Sequence, residues 1–425
     1  MRFLFAPWGN PKNWGKVTYL YDGERESSIT PLTLLQRIVS PDKLVIFGLD
    51  TLAEDGSSYE EVASDAKEKL NEYAKGCRLK DFEIAVSPGV GRFSNGTFTG
   101  SMLDYYYYVS EKIIEFILGN WETDGELEVH LDLTHGINYM TVLTYRALKE
   151  VLEVAALFTR VKFTVYNADP YVKDISDELS INVVEEGSIS PRPFRSALRD
   201  RKLLKVRGPD EGVRERLSRE LGSLKGIHCG EISAFIGSIY NGLPLALYTF
   251  YPDKEEFEEN IRFILEKYRE YIHVGRHNAI EVTRGLEFTE SFRVYIFSFL
   301  MAKLLEKTGV ISGRKTEVSL DEVGDLNNKF FNYDARLNIR IDNDLHNLNK
   351  DLECKAAREW EVYNSILGRS MGEPDRRNFL AHSGFERNLV EVRKDVHRGI
   401  LLRYREDKVG TIEKICKDGL NAAIR

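Results

Sequence analysis

From the first residue to about residue 185, short β-branched and aromatic runs alternate with longer amphipathic stretches, the pattern of an α/β domain. Strands are predicted at 2–6, 17–21, 43–48, 82–87, 126–132 and 162–167, several of them continuous apolar runs of the kind buried on both faces of a sheet. Helices are predicted between them at 31–39, 59–75, 101–118 and 137–154. Such alternation gives a mostly parallel sheet with right-handed crossovers, and ligands gather beyond the carboxyl ends of its strands. After a Ser-, Pro- and Arg-rich segment near 188–201 the strand signals almost vanish, and the chain reads as helical to its end. The strongest helix is predicted at 286–308, with Phe288, Phe292, Ile296, Phe299, Leu300 and Leu304 on one stripe and Gly309 as its stop; another is predicted at 350–367. Three regions follow: 1–187, a connector at 188–282 that is either plainly helical or a winged-helix-like element, and 283–425.

The 425 residues, 42% hydrophobic and 30% charged, exclude a disordered or fibrous chain. The longest strongly apolar run, between Arg293 and Lys303, is half the length that crosses a bilayer, and Met1 to Gly9 is too short for a signal peptide, so a cytoplasmic protein without membrane association is expected. Cys77, Cys229, Cys354 and Cys416 form no C-x-x-C pair and read as buried reduced thiols. The net charge of −8 excludes a general coating of nucleic acid, but residues 376–425 hold twelve Lys or Arg against seven Asp or Glu and concentrate positive charge at the tail.

Candidate chemistry falls in two places. The strand at 126–132 runs into Leu133-Thr134-His135-Gly136-Ile137-Asn138 and then a helix, which puts Thr134 or His135 at a helix N-terminus. Free N–H groups, the glycine and the amide of Asn138 suit an anion or nucleotide, although an ordinary capped connection has the same pattern. The first strand ends similarly in Ala6-Pro7-Trp8-Gly9-Asn10, where Trp8 offers a face for a base. A third loop, Gly89-Val90-Gly91-Arg92-Phe93-Ser94-Asn95-Gly96, fails the dinucleotide fingerprint because Ser94 stands at the third glycine, yet Arg92 could meet a phosphate. No G-x-x-x-x-G-K-[ST] loop is present.

The second place is Arg376-Arg377-Asn378-Phe379-Leu380-Ala381-His382-Ser383-Gly384, a short helix beginning just after Pro374. On one regular helix Arg377 and His382 would point about 140° apart. Either the helix end is distorted, or two copies face each other across a two-fold axis and make a composite site. A guanidinium and an imidazole suffice to cleave RNA through its own 2′-hydroxyl with no metal, and Asn378 could orient the phosphate or the histidine. Arg340 and His346 fit a looser spacing, and Arg340-Ile341-Asp342-Asn343-Asp344 reads as a polar loop that a metal nuclease could use as carboxylates.

Together, Thr134-His135-Gly136-Ile137-Asn138 after an α/β strand and Arg377-Asn378-Phe379-Leu380-Ala381-His382-Ser383-Gly384 in a helical region resemble the CARF–HEPN ribonucleases of type III CRISPR systems. The resemblance implies a Rossmann-like N-terminal CARF domain followed by an all-α C-terminal HEPN domain. It implies a ligand site for cyclic oligoadenylate at Trp8, Gly9, Asn10, Arg92, Thr134, His135, Gly136 and Asn138, with cyclic tetra-adenylate the expected allosteric activator and no other cofactor or metal. It implies catalysis by Arg377 and His382, supported by Asn378, on single-stranded RNA. Arg340 and His346 depart from the pattern, since Ile341 stands at the polar position. The implied assembly is a homodimer or higher even oligomer, linked functionally but not stably to an interference complex. The competing class is a ligand-responsive transcriptional regulator that binds duplex DNA through the connector.

Overall fold

A computed structural model describes all residues except 123–124, 174, 209–210, 222–223, 225–226, 277, 353–354, 357 and 422–425. The chain divides into two compact units. The first holds 1–190, 202–223 and 261–293; the second holds 191–201, 224–260 and 294–425. The expected connector at 188–282 is therefore not a separate body, because its segments pack into one unit or the other.

In the first unit β1 (Arg2–Pro7), β2 (Val17–Tyr21), β3 (Glu24–Ser28), β4 (Lys43–Leu49), β5 (Phe82–Ser87), β6 (Gly91–Phe93), β7 (Gly96–Thr99), β8 (Leu127–Asp132), β9 (Val161–Ala168) and β10 (Glu178–Ser188) precede three later strands of the 261–293 segment and a short one at Leu204–Val206. Eight of them form one sheet in the order β3-β2-β10-β9-β8-β1-β4-β5. Pairings from β9 through β8, β1 and β4 to β5 are parallel, whereas β10 meets β9 antiparallel and β2 meets β3 antiparallel. Helices α1 (Leu32–Val39), α2 (Tyr59–Gly76), α3 (Met102–Asn120) and α4 (Asn138–Ala155) connect the strands. The central strands are buried on both faces, Phe3, Leu4, Phe5, Val129 and Leu131 among them, which is why they read as unbroken apolar runs. Strand order reverses at β1, with β4 on one side and β8 on the other, so the crevice beyond their carboxyl ends is the ligand position this topology favours.

β11 (Leu204–Val206) and the helix α5 (Glu211–Leu221) come from the connector. β12 (Ile272–Arg276) and β13 (Ile280–Arg284) extend the β6–β7 hairpin into a four-stranded sheet, β13 lying parallel to β7. β14 (Leu286–Phe288) pairs with β11, so the long helix predicted from 286 begins only after this strand.

The second unit contains α6 (Cys229–Asn241), α7 (Pro244–Thr249), most of α9 (Glu290–Lys307), α10 (Leu320–Lys329), α11 (Ala335–Leu352), α12 (Tyr363–Ile366), α13 (Arg376–Ala381) and α14 (Val409–Asn421); α8 (Lys254–Glu270) begins here and ends in the first unit. Helices dominate, as expected, but β15 (Val318–Ser319), β16 (Glu361–Val362), β17 (Val390–Asp395) and β18 (Gly399–Tyr404) add an antiparallel sheet to a region read as all-α. The helix expected at 350–367 is replaced by the end of α11, β16 and one turn of helix. The segment 340–344 lies inside α11 rather than in a loop: Ile341, Leu348 and Leu352 are its buried side chains. Packing of α6 against α14 is close, because a Cβ on Gly237 would stand 2.2 Å from the Cys416 carbonyl oxygen. Cys416 is buried, Cys77 and Cys229 are only partly so, and Cys354 lies outside the described residues. Among the described residues no helix is long and apolar enough to cross a membrane.

Candidate active site and ligand site

The loops after β1 and β8 meet at the reversal of strand order. Gly9 donates its N–H to the His135 carbonyl at 2.8 Å, and a Cβ on Gly9 would approach that oxygen to 3.1 Å, so glycine permits the contact. Gly136 is also confined, its Cβ position lying 2.5 Å from Thr141 Cγ2. A depression of about 490 Å³ opens here, lined by Gly9, Asn10, Trp14, Asn95, Thr134, His135, Gly136 and Ile137, together with neighbouring residues of the β4 and β6–β7 ends. Of the residues expected to hold a ligand, it brings together Gly9, Asn10, Thr134, His135 and Gly136; Trp8, Arg92 and Asn138 are not part of its lining.

Trp8 is a correction. It is fully buried in the core and meets Trp14 edge-on at 5.2 Å, so no face is open to a base. Trp14 instead stacks on the His135 imidazole at 3.9 Å and 15°. Burial pushes the His135 imidazole down to about 4, and its Nε2 meets the Tyr19 hydroxyl at 3.2 Å. His135 is thus a neutral, packed ring. The Thr134 hydroxyl is committed, donating to Asp132 Oδ1 at 2.6 Å and accepting from the Ala168 N–H at 3.0 Å. Beneath it Asp132 is fully buried and desolvated, its carboxyl pushed up to about 6 against the pull of Thr134. Helix α4 starts at Asn138, later than expected, and its N-cap Ile137 supplies no side-chain cap. Asn10 accepts from the Lys12 N–H at 3.1 Å, and Arg92 is exposed on β6.

In the second unit Asp375 caps α13 by accepting from the Asn378 N–H at 2.7 Å, and the helix stops at Ala381. His382 leaves the helical path at φ −108° and ψ 41°, so the 140° separation of a regular helix does not apply. Ser383 and Gly384 follow in the left-handed region at φ 48° and 85°. Arg377 and Asn378 are exposed, and the Arg377 side chain makes no hydrogen bond or ion pair among the described residues. His382 is 60% exposed, and its Nδ1 lies 3.2 Å from Asp344 Oδ1 on α11. The other Asp344 oxygen accepts from the Ser383 hydroxyl at 2.9 Å, and Arg340 Nε donates to the same hydroxyl at 3.1 Å. Arg340 is otherwise spent on the carbonyls of Asn241 and Gly242, and burial lowers its basicity. Asp342 takes a different partner, the Asn327 amide, at 2.7 Å. Arg377 and His382 make no hydrogen bond to each other within one chain. Asp344, which sequence reasoning placed in a polar loop, is the neighbour of His382 that the sequence did not reveal, because 38 positions separate the two.

A Rossmann-like sheet with a ligand crevice at its strand reversal, joined to a helical unit that presents arginine and histidine at the end of a short helix, defines a CARF–HEPN protein. Comparison with known proteins agrees. The model of the CARF domain of CRISPR system endoribonuclease Csx1 matches residues 3–170, and the model of its HEPN domain matches residues 334–406. The CRISPR system endoribonuclease Csx1 of Methanocaldococcus jannaschii is 31% identical over 412 residues, covering 92% of this chain and 86% of the relative. A solved structure of Enterococcus italicus Csm6 bound to cyclic hexa-2′-fluoro-hexa-dAMP aligns over 99% of this chain and 92% of that one at 11% identity, with a TM-score of 0.25 too low to bear on geometry or ligand. The chain belongs to the Csx1 family of CRISPR-system CARF–HEPN endoribonucleases.

Proposed function

We propose that this protein is a metal-independent endoribonuclease for single-stranded RNA, switched on by a cyclic oligoadenylate held at the β1 and β8 loops. The observation that carries the reading is the pairing of chemistry at the end of α13: an exposed, uncommitted Arg377 guanidinium five positions before an exposed imidazole with one nitrogen held by Asp344. Arg377 binds the scissile phosphate and offsets the charge that develops on it. His382 takes the proton from the ribose 2′-hydroxyl, the 2′-oxygen bonds to phosphorus, the bond to the 5′-oxygen breaks, and that oxygen receives a proton. The products are a 2′,3′-cyclic phosphate and a 5′-hydroxyl. Asn378, exposed beside Arg377, supports the phosphate.

Because one chain does not join Arg377 to His382 by a hydrogen bond, the second reading of the spacing, two copies around a two-fold axis, fits this arrangement: one imidazole acts as base and the other as acid. A ring activator with rotational symmetry suits the same axis between two CARF domains. Its adenylate phosphates and bases would lie against Gly9, Asn10, Thr134, His135 and Gly136, with Arg92 and Asn138 at the margin, and ring binding would favour the arrangement that registers the two nuclease sets. The test is cleavage of single-stranded RNA in EDTA, with and without cyclic tetra-adenylate, by wild type and His382→Ala. Activator-dependent cutting by wild type and none by the variant is expected; persistent cutting by the variant, or an absolute need for a divalent ion, would overturn the mechanism.

A further inference from the structure

We infer that Asp344 is a positioning residue of the nuclease site, fixing the tautomer and direction of His382; the inference rests on the ribonuclease reading above. Asp344 is 12% exposed whereas the imidazole it meets is 60% exposed, so the carboxylate forms a largely covered floor under a ring open to solvent. Its two oxygens divide the work. Oδ1 faces His382 Nδ1 at 3.2 Å, and Oδ2 accepts from the Ser383 hydroxyl at 2.9 Å. Ser383 is fully buried and receives a further hydrogen bond from Arg340, whose guanidinium is anchored on backbone carbonyls of the 241–242 turn. A carboxylate is an acceptor only, so the hydrogen it faces must sit on Nδ1. Nε2 is then left with its lone pair toward solvent, the form needed to take a proton from a 2′-hydroxyl, and the carboxylate stabilises the imidazolium that results.

The backbone around His382 is held independently of the imidazole. Gly384 N–H bonds the Phe379 carbonyl at 2.9 Å and Phe385 N–H bonds the His382 carbonyl at 2.7 Å. A Cβ on Gly384 would stand 2.7 Å from the Tyr404 hydroxyl. The turn therefore survives loss of the carboxylate, and what Asp344 adds is the orientation and protonation form of the ring. Asn378, the residue first assigned an orienting part, bonds His382 only through main-chain atoms, its carbonyl accepting from the His382 N–H at 2.9 Å.

The experiment compares wild type, Asp344→Asn, Asp344→Glu and His382→Ala on single-stranded RNA with cyclic tetra-adenylate. In Asp344→Asn kcat should fall at least about tenfold with KM little changed, as expected when an amide replaces the acceptor that fixes a catalytic imidazole. The acidic limb of its kcat/KM profile should move to lower pH, and Asp344→Glu should restore that limb. Nitrogen-15 chemical shifts of wild type, with His382 assigned by its absence in His382→Ala, should show the proton on Nδ1 at pH 8. A wild-type ring protonated on Nε2, or Asp344→Asn with the kcat and pH profile of wild type, would overturn the inference while leaving the nuclease reading intact. Full activity of His382→Ala would instead overturn that reading. The shift measurement needs no Asp344 variant to fold.

Discussion

Replacing Arg284 with methionine should unfold the first unit at much lower urea, and the loss should depend on pH. Arg284 on β13 and Asp50, the residue after β4, form an ion pair in which both side chains are 0% exposed. The guanidinium also donates to the carbonyls of Gly89 at 2.7 Å and Thr99 at 3.1 Å, while Asp50 accepts from the Gly89 N–H at 2.8 Å and the Tyr59 hydroxyl at 3.1 Å. Removing one member of a buried pair costs roughly 3–5 kcal/mol, because the survivor keeps its desolvation penalty without its partner. Asp50 has one escape, which is to bind a proton. Burial already pushes its carboxyl up, and Arg284 and the Gly89 N–H pull it back, so loss of the guanidinium moves it higher still. A carboxyl raised in the native state binds a proton that the unfolded chain releases, so the variant regains stability as pH falls from 8 to 5. The expected deficit is about 3–5 kcal/mol at pH 8 and smaller at pH 5. Adding Asp50→Asn to Arg284→Met should recover part of it. Urea titrations followed by tryptophan fluorescence report mainly on this unit, since Trp8, Trp14 and Trp121 lie in it and Trp360 lies in the other; replacing Trp360 with phenylalanine in every protein compared removes the second signal. Equal losses at the two pH values, or a double variant no better than the single one, would show that the pair is not held as an isolated buried charge.

Two further outcomes concern the ligand loops. Asp132→Asn should gain stability over wild type by up to about 3 kcal/mol between pH 4 and pH 7, because a carboxyl raised from 3.8 to about 6 makes the native protein lose stability as pH rises through that window while an amide does not; paired urea melts at the two pH values measure the difference. His135, common to both proteins, cancels. Gly136→Ala must displace Thr141 or the loop, since its Cβ would lie 2.5 Å from Thr141 Cγ2, and calorimetric titration should show cyclic tetra-adenylate binding weakened about tenfold or more, a loss of roughly 1.4 kcal/mol.

The middle of the sheet was legible because parallel strands buried on both faces are largely apolar runs: β1, β4, β8 and β9 fall within a residue or two of their predicted bounds, and the half-buried β2 and the edge strand β5 fall on theirs. β3 and β10 were not. β3 reads Glu-Arg-Glu-Ser-Ser, and β10 alternates only over Glu178–Ile181 before running into the polar Glu185, Glu186 and Gly187, so neither has an apolar run to announce it. β17 and β18 carry Arg393, Lys394 and Arg403 between buried Val390, Val392, Leu401 and Leu402, an alternation lost within a tail read for its charge. The helical stripe of α11 was available in Ile341, Leu348 and Leu352, but the polar residues between them suggested a loop. At the β1 and β8 loops the sequence pointed to the crevice proposed for the ligand, whereas the full burial of Trp8 depends on tertiary packing that the loop sequence does not show. Arg377 and His382 were legible as a local pattern, and Asp344 was not, because the helix that brings it to the imidazole is joined to it only through the fold.

The most direct measurement is the chemistry of the cut ends. Wild-type protein, given cyclic tetra-adenylate and a defined single-stranded RNA in EDTA, should leave a 2′,3′-cyclic phosphate on one fragment and a 5′-hydroxyl on the other, read by mass spectrometry. Fragments ending in a 3′-hydroxyl and a 5′-phosphate would contradict attack by the ribose and, with it, the roles given to Arg377 and His382.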